Sequence, residues 1–186
     1  MGRPVGRRGG ESRARLLDAA LVLFAEHGVS GTSLQMIADS LGVTKAAVYH
    51  QFASKSDIVL AVASPVMDQM AAIADAADAT EDKSARFNLV LAGLVDLVLD
   101  NRASASALRR DPVLTRLLET NDDFRAVLAR IDAILIGPNP STEGRIALVL
   151  AGGSLMVTGM DPTLADVDRA TMRGVLISSM TRLLRP

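Results

Sequence analysis

Apolar residues recur at helical spacing along nearly the whole chain, and no alternating strand pattern runs beyond four residues. Between Arg13 and Gly28, the residues Leu16, Leu17, Ala20, Leu23 and Phe24 fall on one face, and Gly28 is a good C-terminal stop. Val29-Ser30-Gly31 then reads as a short loop. Thr32, with Gln35 three residues on, forms a capping box that opens a second helix, and Gly42 ends it. Thr44 caps a third helix that stops at Phe52-Ala53, and Ser54 with Asp57 opens a fourth. The first 55 or so residues therefore predict three short helices in quick succession.

Beyond them the helices lengthen. One is predicted from Lys55 to about Ala77, with a bend at Pro65, where the ring removes a backbone bond. Thr80 to Lys83 reads as a loop, and Phe87 to Leu99 as a helix apolar on most sides. Asp111-Pro112 and Gly137-Pro138-Asn139-Pro140 read as breaks, with an amphipathic helix from about Asn121 to Ile136 between them. Two last helices follow, about Ser141 to Met160 and Asp166 to Leu184. The fold class is all-α with about nine helices: a basic flexible arm over residues 1–10, a three-helix domain over 11–55, and a helical domain over 56–186.

Composition narrows the chemistry. At 186 residues, 49% apolar and 22% charged, the chain has enough apolar surface to fold around a core. It has no Cys, which removes disulfides, thiolate metal sites and Cys nucleophiles, and its two His are too far apart in sequence to suggest a metal site. No metal or other cofactor is expected. There is no nucleophile–base pair and no phosphate-cradling glycine loop, so no enzyme is expected either. No apolar run follows Arg3, Arg7 and Arg8 at signal-peptide distance. The longest nearly uncharged apolar run, Ile146 to Met160, falls short of the roughly 20 residues of a membrane span, so a cytoplasmic protein with no membrane partner is expected. Charge is uneven. Up to Leu16 five arginines face one acid, Glu11, whereas from Ala61 onward 13 basic residues face 16 acidic ones. A basic front on an acidic body suggests that the front meets a polyanion.

A helix, a glycine turn and a second helix within about 20 residues is the spacing of a helix-turn-helix DNA reader. Ile37, Leu41 and Val48 can form its small core, Ala38 is small where the helices approach, and Gly42 permits a left-handed turn. With Thr44 at the cap, Lys45 and Ala46 lie at the exposed front of the third helix, the part that enters a major groove. Tyr49 lies one turn beyond Lys45, and its hydroxyl and the His50 ring can donate to phosphates flanking the groove.

The stretch Leu16 to Ile58 resembles the N-terminal DNA-binding domain of TetR-family transcriptional regulators, in LFAEHG, TSLQMIA, the LGVTK turn, VYHQF and the SK after it. The resemblance implies a phosphate contact at Ser33, groove-facing polar residues at Gln35 and Lys45, and phosphate clamps at Thr44, Tyr49 and His50. It also implies a further backbone contact at Lys55, beside a helix N-terminus that favours an anion. Many relatives have Gly where this chain has Ala46, which leaves a methyl free to touch a thymine methyl. Specificity is expected to lean on Lys45, Gln35 and the arm Arg3-Arg7-Arg8 in an adjacent minor groove.

The partners expected are double-stranded operator DNA, a second copy of the chain, and an unidentified small, mainly hydrophobic ligand that releases a repressor from its operator. A DNA-binding protein acting outside transcription, without an inducer, is the alternative. The last two helices are the expected dimer interface: Ile146 to Leu150 is apolar on every side, Gly152 and Gly153 allow close approach, and Val175, Leu176, Met180, Leu183 and Leu184 form a stripe. The resemblance supports that choice, since such regulators usually dimerise through a four-helix bundle from these helices. Candidate pocket linings are Met67, Met70, Phe87, Leu91, Leu94, Phe124, Leu128 and Met156, with Ser154 and Thr158 to orient a ligand.

Overall fold

A computed structural model describes residues 5–101, 111–159 and 161–185, with side chains from residue 10 onward. Among the described residues there are nine α-helices and no strand. They are α1 (Val5–Gly31), α2 (Leu34–Leu41), α3 (Lys45–Gln51), α4 (Lys55–Asp78), α5 (Lys83–Asp100), α6 (Pro112–Glu119), α7 (Asp122–Ile136), α8 (Thr142–Gly159) and α9 (Arg169–Leu184). A 3-10 turn, Pro162–Leu164, precedes α9.

The chain divides into two compact units. The first holds α1, α2, α3, the start of α4 up to Pro65, and α6. Its core joins Leu16, Ala20 and Phe24 of α1 to Ile37 and Ala38 of α2, Val48 of α3 and Ile58 and Val59 of α4. Val113, Leu114 and Leu117 of α6 pack against that cluster. Contacts thus divide near Pro65, ten residues past the expected boundary, and α6 belongs with the reader helices.

Local signals explain most element ends. Gly28 takes φ +70°, ψ 164°, a kink at the predicted stop, and one further helical turn follows it to Gly31 instead of the expected loop. The capping box before α2 shifts by one residue. Ser33, not Thr32, caps it, accepting from Met36 N at 3.2 Å. Thr32 is instead buried, its hydroxyl donating to Gly28 O at 2.8 Å and Leu23 O at 3.1 Å. At α4 the box forms as expected: Ser54 Oγ accepts from Asp57 N at 3.2 Å and donates to Asp57 Oδ2 at 2.9 Å. Helix α4 continues through Pro65. Asp111-Pro112, read as a break, is a helix start: Asp111 caps α6 and Pro112 takes the first helical position, where no N–H is needed.

The second unit comprises the rest of α4 with α5, α7, α8 and α9. Helix α5 runs through its centre, burying Phe87, Val90, Leu91 and Val95 against Ala74 and Ala77, Ile131 and Leu135, Ala151 and Leu155, and Met172, Leu176 and Met180. Arg130 of α7 bonds Asp75 and Asp78 at the end of α4, at 2.7 and 2.6 Å. Arg169 and Arg173 of α9 meet Asp96 of α5 at 3.1 and 2.8 Å. The Arg173 hydrogen bond holds the Asp96 carboxyl below the usual carboxylate range, against the opposing effect of burial. Asp132 on α7 is the opposite case, because burial pushes its carboxyl up.

By length and composition one described helix, α4, is apolar enough to cross a membrane; the expected longest apolar run, 146–160, is not that helix. Helix α4 buries Ile58 and Val59 in the first core and Ala74 and Ala77 in the second.

Candidate nucleic-acid interface

The first unit presents its chemistry on α2, the turn and α3. Gly42 lies at φ 64°, ψ 31°, the left-handed region that glycine occupies without strain, and its N–H returns to Ala38 O and Asp39 O. Val43 N also returns to Ala38 O at 3.0 Å, which closes the end of α2. The chain then extends at Thr44 (φ −78°, ψ 151°), whose hydroxyl accepts from Ala47 N at 3.2 Å and starts α3. Val48 is fully buried and fixes the inward face of α3.

That leaves Lys45, Ala46, Ala47, Tyr49 and His50 exposed. Tyr49, the only Tyr in the chain, is 49% exposed. The Lys45 ammonium sits 5.8 Å from its ring centre, a cation–π pair that steadies the lysine on the outward face. Thr44, Ser33 and Gln35 are exposed as well. On this geometry one cation, one phenol and one imidazole share a short helix with small neighbours, which suits insertion between two phosphate rows.

Three contacts were not foreseen. Gln35 Nε2 donates to Asp39 Oδ1 at 2.7 Å along α2. Gln51 Nε2 donates to Ser12 Oγ at 2.9 Å, and the Arg13 guanidinium lies 4.8 Å from the Phe52 ring centre, so the end of α3 is fastened to α1. Pairs between residues 39 positions apart leave no mark in a local pattern.

Lys55 is used differently from the expectation. Its ammonium donates to Val29 O at 2.7 Å and Thr32 O at 2.9 Å, which caps carbonyls at the α1–α2 joint instead of leaving the charge for a phosphate. Arg3 lies outside the described residues, as do the side chains of Arg7 and Arg8. The backbone of residues 5–10 is helical, part of α1, where an irregular arm was expected.

The pocket candidates separate. Phe87 and Leu91 are buried in the second core, and the Arg185 guanidinium stacks 3.8 Å from the Phe87 ring centre. Ser154 and Met156 are exposed on α8, Ser154 donating to Ala151 O of its own helix. Met67, Met70, Leu94, Phe124, Leu128 and Thr158 are half-buried. Among the described residues no group of His, Asp or Glu is placed to hold a metal ion.

The geometry defines a helix-turn-helix DNA-binding protein, and comparisons with known proteins place it more closely. Residues 16–62 match the family described as bacterial regulatory proteins, tetR family. The HTH-type transcriptional regulator AcrR of Shigella flexneri is 47% identical over 58 residues, 31% of this chain and 27% of that protein. The HTH-type transcriptional regulator TtgR of Pseudomonas putida is 30% identical over 165 residues, 87% of this chain and 74% of that one. The crystal structure of the transcriptional regulator FadR from Bacillus subtilis in complex with stearoyl-CoA shares the fold, with a TM-score of 0.62 at 21% identity over 92% of this chain and 96% of that one. This chain belongs to the TetR family of transcriptional regulators.

Proposed function

We propose that the protein is a sequence-specific repressor that binds a two-half-site operator as a homodimer and is released by a small, mainly apolar ligand. The observation that carries the DNA-binding part is the exposed face Lys45–Tyr49–His50, presented by the Thr44 cap and the Gly42 turn. Lys45 and Gln35 read bases, while Ser33, Tyr49 and His50 fix the register on phosphates. Ala46 offers a methyl to thymine. Arg3, Arg7 and Arg8 add to specificity from an adjacent minor groove.

The second copy docks on α8 and α9. Ile146, Val149, Leu150 and Val157 are each more than half exposed, up to 75% at Val149, and a Cβ added at Gly152 or Gly153 would meet nothing within 4 Å. Apolar surface of this kind, with room for a close neighbour, fits an isologous helix–helix contact. Val175 is the one exposed member of the expected α9 stripe, because Leu176, Met180 and Leu184 are buried in the unit's own core and Leu183 packs partly against it.

The ligand reading is supported by the half-buried apolar residues Met67, Met70, Leu94, Phe124 and Leu128 of the second unit, and by a relative of the same fold that holds stearoyl-CoA. Footprinting the purified protein on its own upstream DNA tests the proposal. Two protected half-sites about one helical turn apart are expected. Sites scattered without dyad symmetry would point away from a dimeric repressor.

A further inference from the structure

We propose that Asp111 is a positioning residue for DNA binding: its carboxylate, carried by α6, holds the Val29 peptide and with it the start of α2 in the placement the operator requires. The inference rests on the reading of α2 and α3 as the DNA-contacting helices.

Asp111 is one of only two buried polar or charged side chains in the described residues, with Thr32 the other. Its carboxylate is met by three backbone amides. Oδ1 accepts from Val113 N at 2.9 Å and Leu114 N at 3.3 Å, which caps α6. Oδ2 is left for one partner 82 residues away, Val29 N, at 2.6 Å. A cap needs only the first oxygen, and Ser or Asn supplies it as well as Asp does. A buried carboxylate that spends its second oxygen on a distant joint is costly unless that joint must be fixed.

The joint is held from both sides. The Val29 N–H is taken by Asp111 and its C=O by Lys55 Nζ at 2.7 Å, so one peptide is gripped between α6 and the first residue of α4. The same ammonium takes Thr32 O, and the Thr32 hydroxyl closes the end of α1 on Gly28 O. Gly28 makes the kink that turns the Val29 N–H toward the carboxylate, and a Cβ there would lie 3.4 Å from Oδ2. Ser33 and Leu34 follow at once and begin α2. The Val29 and Thr32 groups held by this clamp lie within four residues of Ser33, and Gln35 is on the next turn.

The test compares the wild type, Asp111→Ser and Asp111→Asn on a duplex that the wild type selects from a random pool. Serine keeps the α6 cap but is too short to reach Val29 as well. Asp111→Ser should raise Kd about tenfold, the cost of one buried amide left unmet. It should leave the salt slope of binding unchanged, because no phosphate contact is lost. In the free protein, hydrogen exchange at the Val29 amide should speed up by a similar factor. Asp111→Asn keeps the cap on its single oxygen and turns an amide NH2 toward the Val29 N–H, donor against donor, so it should raise Kd at least as much as Asp111→Ser. Wild-type affinity in Asp111→Ser despite a fast-exchanging Val29 amide overturns the proposal, as does a slope reduced by about one. An unchanged Val29 exchange rate overturns it without any DNA present. If Asp111→Ser fails to fold, an unchanged Kd in Asp111→Asn does so. A wild type that selects no duplex refutes the DNA-binding reading instead, and the exchange result still decides whether the tie exists.

Discussion

Two aspartates of the second unit show how one residue type is driven in opposite directions by its surroundings. Asp96 is held by the Arg173 hydrogen bond and the nearby Arg169, so its folded carboxyl ionises more readily than in the unfolded chain. The stability it contributes is present above the unfolded value and is lost as pH falls through the folded one. Asp96→Asn should therefore lower the thermal midpoint at pH 7 by an amount equivalent to about 1 kcal/mol, with the difference closing in acid. Asp132 is half-buried and raised by burial. Its folded state prefers the proton, so stability is highest below the unfolded value and falls as pH rises through the folded one. Asp132→Asn should raise the midpoint at neutral pH by a few tenths of a kcal/mol after solvent screening, and change nothing near pH 3. Melts of both variants at the two pH values check the signs, and a destabilised Asp132→Asn at pH 7 would contradict the burial argument.

At the scale of elements, what was legible in the sequence was what local chemistry controls. The Gly42 stop, the Thr44 cap and the Ser54–Asp57 box stand where their residues predict, because each is set within three or four positions. The misplaced features turn on a choice between competing partners that the local pattern does not rank. Thr32 offered a plausible cap, yet its hydroxyl is drawn inward to Leu23 O and Gly28 O, leaving the cap to Ser33. Lys55 looked free for a phosphate, and only folding brings the Val29 and Thr32 carbonyls to it. Asp111-Pro112 carried a readable signal, a cap residue followed by a first-turn proline, but both residues also mark breaks. Gly42 allows a direct check of the turn. Nothing lies within 4 Å of a Cβ there, so any cost of substitution is backbone strain alone. Gly42→Ala should destabilise the protein by about 1 kcal/mol and Gly42→Asn by clearly less, since Asn tolerates the left-handed region. Equal losses in chemical denaturation would mean that strain is not the cause.

For the whole molecule, the first unit was more legible than the second. Helices α2 and α3 of the first unit are short, and their caps and turns are written locally. A bundle of long helices instead leaves each apolar residue several possible neighbours. Phe87 and Leu91, candidate pocket walls, are buried among the core residues of the second unit, while Met156 is exposed on α8. That exposed face supports a prediction about assembly. Val149→Arg places a charge at the most exposed apolar position of α8 without touching either core. Light scattering should show a dimer for the wild type and a monomer for the variant, and operator affinity should fall by about a hundredfold or more as one half-site contact is lost. An intact dimer carrying Val149→Arg would move the interface elsewhere.

The most direct test of the outward-facing helix α3 is the salt dependence of binding to the selected duplex, measured for the wild type and for a Lys45→Ala/His50→Ala double variant. If these side chains meet DNA, the double variant binds far more weakly and its slope in log Kd against log salt falls by about 0.9 for each phosphate contact removed. A double variant that keeps both the affinity and the slope of the wild type would show that α3 does not enter the groove.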